Sequence, residues 1–66
     1  MMKKFLRVEV YENTYLFMKK RINSITKEDF TIYISMQEDE RYAFNFQSKN
    51  ELDKCFLSIM KQIKIR

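Results

Sequence analysis

VEVYENTYLFMKKRI, residues 8–22, alternates between two sets of side chains along most of its length, and these sets decide which faces the fold can have. One set is aliphatic: Val8, Val10, Leu16, Met18 and Ile22. The other set mixes aromatic and charged groups: Glu9, Tyr11, Tyr15, Phe17, Lys19 and Arg21. Because successive side chains of a β-strand point to opposite faces, the first set predicts a row that faces a core. The second set would then lie on the opposite face of the sheet.

Four alternating segments predict four strands: KKFLRVEVY (3–11), YLFMKKRI (15–22), FTIYISM (30–36) and RYAFNFQ (41–47). The polar break ENT (12–14) separates the first two, and Asn13 is well suited to a left-handed turn. NSITKED (23–29) contains few apolar residues and is interpreted as a loose connection. QEDE (37–40) is an acidic turn between the last two strands. The pattern therefore predicts two β-hairpins.

From Ser48 onward the spacing of apolar residues becomes that of a helix. The apolar stripe consists of Leu52, Phe56, Ile59, Met60 and Ile63. Ser48 or Asn50 provides the N-cap in this interpretation, and acidic residues follow in the first turn. Basic residues complement the other end of the helix dipole: Lys61, Lys64 and Arg66. Charge and capping thus agree on the direction of the helix.

The fold expected from these elements is a single α+β domain spanning residues 1–66. It consists of one four-stranded antiparallel sheet, made of two hairpins, with one C-terminal helix packed on one face. The predicted core is Leu6, Val8, Val10, Leu16, Met18, Ile22, Phe30, Ile32, Ile34, Tyr42, Phe44, Phe46, Leu52, Phe56, Ile59 and Ile63.

The composition excludes several kinds of catalytic and binding site. The chain has no glycine and no histidine, so it cannot form a glycine-rich phosphate loop or a catalytic triad with histidine. Its one cysteine, Cys55, is interpreted as a small buried hydrophobe. The apolar runs are shorter than the roughly 20 residues of a membrane span. We therefore expect a cytoplasmic, non-enzymatic binding protein with no cofactor, no metal and no membrane partner.

The sheet face that the helix leaves uncovered is the candidate site. In the predicted register this face carries Phe5, Arg7, Glu9, Tyr11, Tyr15, Phe17, Lys19, Arg21, Thr31, Tyr33, Ser35, Arg41, Asn45 and Gln47. Three interpretations remain open. The aromatic residues could only stabilise the sheet through cross-strand pairs. They could instead form a protein interface, in a homodimer or with a target. Together with the cations they could also bind nucleic acid, which a net charge of +4 permits.

For nucleic acid, the predicted phosphate contacts are Arg7, Lys19, Lys20, Arg21 and Arg41. The predicted aromatic platform is Tyr11, Tyr15, Phe17 and Tyr33. The acidic residues Glu38, Asp39 and Glu40 lie in a turn, where solvation and protection of a sheet edge explain them better than catalysis does.

RVEVYENTYLFMKKRINSI, residues 7–25, resembles part of the C-terminal double-wing DNA-binding domain of the middle-transcription activator of T-even bacteriophages. The residues that carry the resemblance are Val8, Glu9, Val10, Tyr11, Tyr15, Leu16, Lys20, Arg21, Asn23 and Ile25. The later order of a hairpin and a helix is similar too. The resemblance implies a bacteriophage protein that binds duplex DNA in a transcriptional setting. The chain would be either half of a saddle that a homodimer completes or the same scaffold used for another purpose.

The function favoured at this point is a small phage-type nucleic-acid-binding protein that acts in transcription or its regulation. The alternative is a phage-encoded inhibitor or antitoxin-like protein that blocks a host protein through the same face. Salt dependence would discriminate between them, because phosphate contacts weaken steeply with salt and aromatic protein contacts do not.

Overall fold

The structure is a computed structural model that describes residues 4–63. In chain order its elements are β1 (Phe5–Val10), β2 (Asn13–Met18), β3 (Ile22–Glu28), β4 (Thr31–Met36), β5 (Arg41–Asn45) and α1 (Lys49–Ile63). Two short 3₁₀ turns join strands: Lys19–Arg21, called the basic turn, and Gln37–Asp39, called the acidic turn. The α+β class and the C-terminal helix are as predicted.

The strands form two antiparallel sheets, so the prediction of one four-stranded sheet is wrong. β1 and β2 form one sheet, and β3, β4 and β5 form the other in that order. The sheets face each other through aromatic side chains. The ring centre of Tyr15 lies 4.9 Å from the ring centre of Phe44. α1 lies beside β1 and packs chiefly against it. The helix thereby extends the layer of β1 and β2 instead of covering one sheet alone.

The segment 23–29, predicted as a loose connection, belongs mostly to β3. Ile25 lies opposite Ile34 of β4, and Lys27 lies opposite Ile32. Ile22 and Ile25 are the apolar residues through which this strand packs against the core. A bulge between Ile22 and Ser24 interrupts the register, so no alternation is visible in the sequence. The predicted strand 15–22 is correspondingly divided, because the basic turn separates Met18 from Ile22.

The register of β1 and β2 inverts the predicted faces of β2. The hairpin has a two-residue turn, Tyr11 and Glu12, so Val10 pairs with Asn13 and Leu6 pairs with Phe17. Residues paired in an antiparallel sheet project to the same face. Phe17 therefore joins the core at 7% exposure, whereas Leu16 is 62% exposed. A one-residue change in the turn moves every side chain of a strand to the other face.

The core lies between the two sheets and α1. Its buried members are Leu6, Val8, Val10, Phe17, Ile32, Ile34, Met36, Phe44, Phe46, Leu52, Cys55 and Ile59. The prediction was wrong for Leu16, Phe30, Tyr42 and Ile63, which are exposed. Met18, Ile22 and Phe56 are half-buried. Burial of Cys55 is confirmed.

Among residues 4–63, four take left-handed backbone angles, in a chain that has no glycine. They are Tyr11, Asp29, Glu38 and Asp39, with φ between 56° and 67°. Tyr11 thus occupies the position in the first hairpin turn that Asn13 was expected to take. At the helix start, the Ser48 hydroxyl accepts a hydrogen bond from the backbone N–H of Glu51 at 3.3 Å, as one of the two predicted caps. Lys64 and Arg66, predicted for the last turn, lie outside the described residues.

Candidate interaction site at the edge of the first sheet

The predicted aromatic and basic face is not assembled as one surface. Tyr33 and Arg41 do share the outer face of the three-stranded sheet, where the Arg41 guanidinium carbon lies 5.7 Å from the Tyr33 ring centre. Arg7 lies on the outer face of the other sheet, opposite Leu16. Because the two outer faces point away from each other, these residues cannot contact one ligand surface together.

The other three predicted platform residues have structural contacts. The Tyr11 hydroxyl accepts a hydrogen bond from the backbone N–H of Gln47 at 2.8 Å and donates one to Glu51 Oε1 at 3.0 Å. Local desolvation, and then the Glu51 carboxylate, raise the pKa of Tyr11. Tyr15 packs on Phe44, and Phe17 is part of the core. These three residues pack and bond within the protein, but their aromatic contacts join the two sheets and are not the cross-strand pairs of the first interpretation.

The predicted phosphate-binding cations mostly have partners within the protein. Arg7 Nε lies 3.5 Å from Glu9 Oε2, and an Arg21 guanidinium nitrogen lies 3.4 Å from Glu38 Oε2. Lys19 Nζ donates a hydrogen bond to the Gln62 carbonyl at 2.9 Å, near the negative end of the α1 dipole.

The acidic turn lies against the basic turn. Gln37 Nε2 donates a hydrogen bond to the Lys20 carbonyl at 3.2 Å, next to the pair between Arg21 and Glu38. Glu38 therefore does more than protect an edge, because its carboxylate offsets the positive charge of the basic turn at Arg21. This arrangement reduces the attraction of the basic turn for phosphate.

β2 presents a free backbone edge. Backbone groups of alternate residues in an antiparallel strand point to opposite sides. The bond from the Lys19 N–H to the Lys4 carbonyl places odd-numbered residues of β2 in the bonded pairs with β1. The N–H and C=O groups of Thr14 and Leu16 therefore point outward, and β2 has no second neighbouring strand within residues 4–63.

An apolar surface flanks this edge. Phe5 lies opposite Met18 and Arg7 lies opposite Leu16 on the outer face of the hairpin, where Phe5 is 46% exposed. We call the free edge of β2 together with Phe5, Leu16 and Met18 the β2 surface. A hollow beside the edge continues it toward the second sheet and is lined by Met18, Met36 and Tyr42 among others.

The other three outer strands are covered or charged. The side chain of Gln62 bonds both backbone groups of Arg7, and Cys55 Sγ lies 3.8 Å from the Glu9 carbonyl, so α1 covers the edge of β1. β3 carries Lys27, whose ammonium lies 3.3 Å from Asp53 of α1, and β5 begins with Arg41. Charged side chains and covering elements are the usual protection of sheet edges. Among the outer strands of residues 4–63, β2 alone has neither.

Sequence reasoning missed this site, although one signal was present. NTYLFM, residues 13–18, is a six-residue strand without a charged side chain. A central strand needs no such protection, but an edge strand does. The register of the hairpin decides which apolar side chains of that strand reach solvent, and the sequence pattern left it undetermined.

No group of three or more potential metal ligands occurs in the part of the chain that the structure describes. None of its helices has the length and apolar character to cross a membrane. No family model, no curated protein and no solved structure matches this chain. The resemblance of residues 7–25 to the double-wing domain accordingly stays a prediction.

Proposed function

We propose that this chain is a non-enzymatic protein-binding module whose contact element is the β2 surface. The observation that carries the proposal is the uncharged free edge of β2 with Leu16 exposed beside it. An exposed edge binds an extended segment of another polypeptide by strand addition, in which backbone hydrogen bonds supply affinity and alternate side chains supply specificity. Apolar patches that reach solvent mark such interfaces.

The groups that would contact the partner have separate roles. The N–H and C=O groups of Thr14 and Leu16 would pair with an added strand. Leu16 and Phe5 would bury apolar area against its side chains, and the hollow lined by Met18 and Met36 is adaptable because methionine side chains are flexible. Arg7 and Glu9 form a neutral pair next to this area and would lie at its polar rim.

In this proposal the chain acts as a phage-encoded inhibitor or antitoxin-like protein in the host cytoplasm. The surface differs from the one expected from sequence, because Tyr15 and Phe17 lie on the face toward the second sheet and Leu16 is the most exposed apolar residue of β2. Occupation of its partner's sheet edge or of an apolar groove would block that partner. A bacteriophage origin rests on the resemblance of residues 7–25.

Site-specific photo-crosslinking tests the proposal. A benzophenone amino acid at position 16 should form adducts with a defined protein in a bacterial lysate. The matched control is position 57 on α1, because Leu57 is 59% exposed, close to the value for Leu16. The same adducts from both positions, or none from position 16, would contradict the proposal.

Nucleic-acid binding is the second candidate, and the basic turn favours it. Lys19, Lys20 and Arg21 are consecutive, and Lys20 is exposed. If this turn binds duplex DNA, Lys20→Ala should weaken binding and reduce its salt dependence. Glu38→Gln should strengthen binding, since it removes the carboxylate beside Arg21. Fluorescence anisotropy with a labelled mixed-sequence duplex at two salt concentrations measures both effects, and binding that neither substitution changes would exclude the turn.

A further inference from the structure

We infer that, while no target is bound, the β2 surface pairs with a second copy of this chain, with the two β2 strands antiparallel about a two-fold axis at Leu16. The inference rests on the proposed function, because it uses the same edge. It adds a second occupant of the edge, which a target strand would have to displace, and the register of that contact.

The direction of the free backbone N–H and C=O groups of β2 permits this pairing. Antiparallel pairing about Leu16 places Leu16 opposite its own copy and Thr14 opposite Met18 of the second copy. The backbone N–H and C=O groups of these residues point away from β1, whereas those of the odd-numbered residues bond to β1. The three pairs would exchange about six backbone hydrogen bonds. The result is one four-stranded sheet in the order β1, β2, β2, β1, with no free edge at β2.

The side chains of β2 can lie beside those of a second β2 strand on both faces of the sheet. On the outer face, Leu16 meets Leu16 of the second copy, with Phe5 in the adjacent strand of each copy. On the inner face, Tyr15 comes opposite Phe17 of the second copy, whose ring already packs on Tyr42 and Phe44 of its own copy, so the outer face supplies most of the new apolar contact. β2 contains no charged residue, so self-pairing opposes no like charges along the strand.

Charge at the two ends of the contact favours a second copy over a generic strand. Pairing of Met18 with Thr14 of the second copy brings the basic turn, which contains Lys20, to the end of the contact where the hairpin turn of the second copy carries Glu12. Both residues are exposed. The two-fold axis places a second pair of Lys20 and Glu12 at the other end of the contact. These two pairs of opposite charge favour this register over others. The positive end of each copy would thus meet a carboxylate of the other despite the net charge of +4.

The size of the domain supplies a further reason. A chain of this length buries only about 60% of the surface that it exposes when unfolded. Association of two copies is one way in which small domains supplement a limited core. The contact is short, and interfaces at the low end of the size range are transient. We therefore expect a dimer with a dissociation constant in the micromolar range.

Sedimentation equilibrium on the full chain, from about 5 µM to about 500 µM, tests the inference. The wild-type chain and the matched Leu57→Lys variant should both show a monomer–dimer equilibrium. Leu16→Lys should weaken the dimer by about tenfold or more, because it places two ammonium groups on the axis. A chain that stays monomeric over the whole range would overturn the inference, as would equal effects of the two substitutions.

A charge exchange tests the register. Glu12→Lys and Lys20→Glu should each weaken the dimer, and the double variant should restore it. Failure of the double variant to restore a dimer that both single variants weaken would overturn the pairing about Leu16. Amide exchange on the wild-type chain needs no variant: the Leu16 N–H should become more protected as concentration rises, and protection independent of concentration would count against the inference.

The inference and the proposed function can fail separately. A monomeric chain that still forms a defined adduct at position 16 with another protein would leave the proposed function intact and remove the second copy as partner. A dimer that loses affinity on Leu16→Lys, with no other protein captured at position 16, would assign the surface to self-association and contradict a host target.

Discussion

The side-chain amide of Gln62 pairs with the backbone of Arg7 as a neighbouring strand would. Gln62 Oε1 accepts a hydrogen bond from the Arg7 N–H at 2.8 Å, and Gln62 Nε2 donates one to the Arg7 carbonyl at 2.8 Å. The helix thereby satisfies an edge that would otherwise be free. The contrast with β2, whose outer edge has no such cover within residues 4–63, is the basis of the functional proposal.

Gln62→Glu should destabilise the fold. A carboxylate accepts a bond from the Arg7 N–H but cannot donate one to the Arg7 carbonyl, so one hydrogen bond becomes a repulsive contact. We expect a loss of about 1–2 kcal/mol in the free energy of unfolding at neutral pH, measured by urea denaturation. The loss should shrink below pH 4, where the acid is protonated and can donate. Lys61→Ala on the exposed side of the same turn is the control, and a loss of equal size there would refute the role of Gln62.

Phe17→Ala should cost about 3–5 kcal/mol, as expected for a phenylalanine in a core, whereas Leu16→Ala should cost less than about 0.5 kcal/mol. The reason is the two-residue turn at Tyr11 and Glu12, which places Phe17 opposite Leu6 on the core face. Chemical denaturation of the two variants measures the difference. A larger effect at Leu16 than at Phe17 would mean that the register of this hairpin is shifted by one residue.

Tyr11→Phe should lower the melting temperature by a few degrees, because it removes the hydroxyl that joins the first hairpin to Gln47 and Glu51. Tyr33→Phe is the matched control on the outer face of the other sheet. Circular dichroism during heating measures both. Equal changes in the two variants would show that the hydroxyl contacts of Tyr11 carry no stability.

The same tyrosine makes stability depend on alkaline pH. Desolvation and the Glu51 carboxylate raise the pKa of Tyr11 in the folded chain above its ordinary value of 10.0. A raised pKa favours the protonated phenol in the folded state, so its contribution is complete below pH 10 and disappears as pH rises through the folded value. Urea denaturation from pH 8 to pH 11 should show a decline that is smaller in Tyr11→Phe than in the wild type. An unchanged decline would assign the effect to other groups.

Asp29→Gly should stabilise the fold. Asp29 has a φ of 56° in the two-residue connection of β3 and β4, a conformation that glycine adopts without steric cost. After the entropy that glycine adds to the unfolded chain, we expect a gain of up to about 1 kcal/mol. Glu28→Gly, at an extended position of β3, should instead lose about 0.5–1 kcal/mol. Thermal denaturation compares the two, and a loss at both positions would contradict the account.

The elements that sequence reasoning located correctly have one-sided apolar patterns. β4 alternates cleanly around Ile32 and Ile34, and α1 has a stripe that includes Leu52 and Ile59, so hairpin β4–β5 and the helix were predictable. The shared outer face of Tyr33 and Arg41 followed from the same alternation. In these elements the apolar residues of the sequence pattern are also the residues that the fold buries, so the pattern alone predicts the element.

β2 and β3 could not be located in this way for opposite reasons. Both sets of β2 side chains are apolar or aromatic, so the pattern could not decide which faces the core, and the turn at Tyr11 decided it. β3 contributes Ile22 and Ile25 to the core, with a bulge between them, and its other residues are polar, so its pairing with β4 left no periodic signal. The partners of Arg21 and Lys19 depend on contacts between distant segments, which no local pattern records.

Amide hydrogen exchange along β2, measured by NMR on a dilute sample, tests most directly that this strand is a free edge. The N–H groups of Thr14 and Leu16 should exchange rapidly, while those of Tyr15 and Phe17, which are bonded to β1, should exchange slowly. Protection of Leu16 with rapid exchange of Phe17 would contradict both the register and the proposed binding edge.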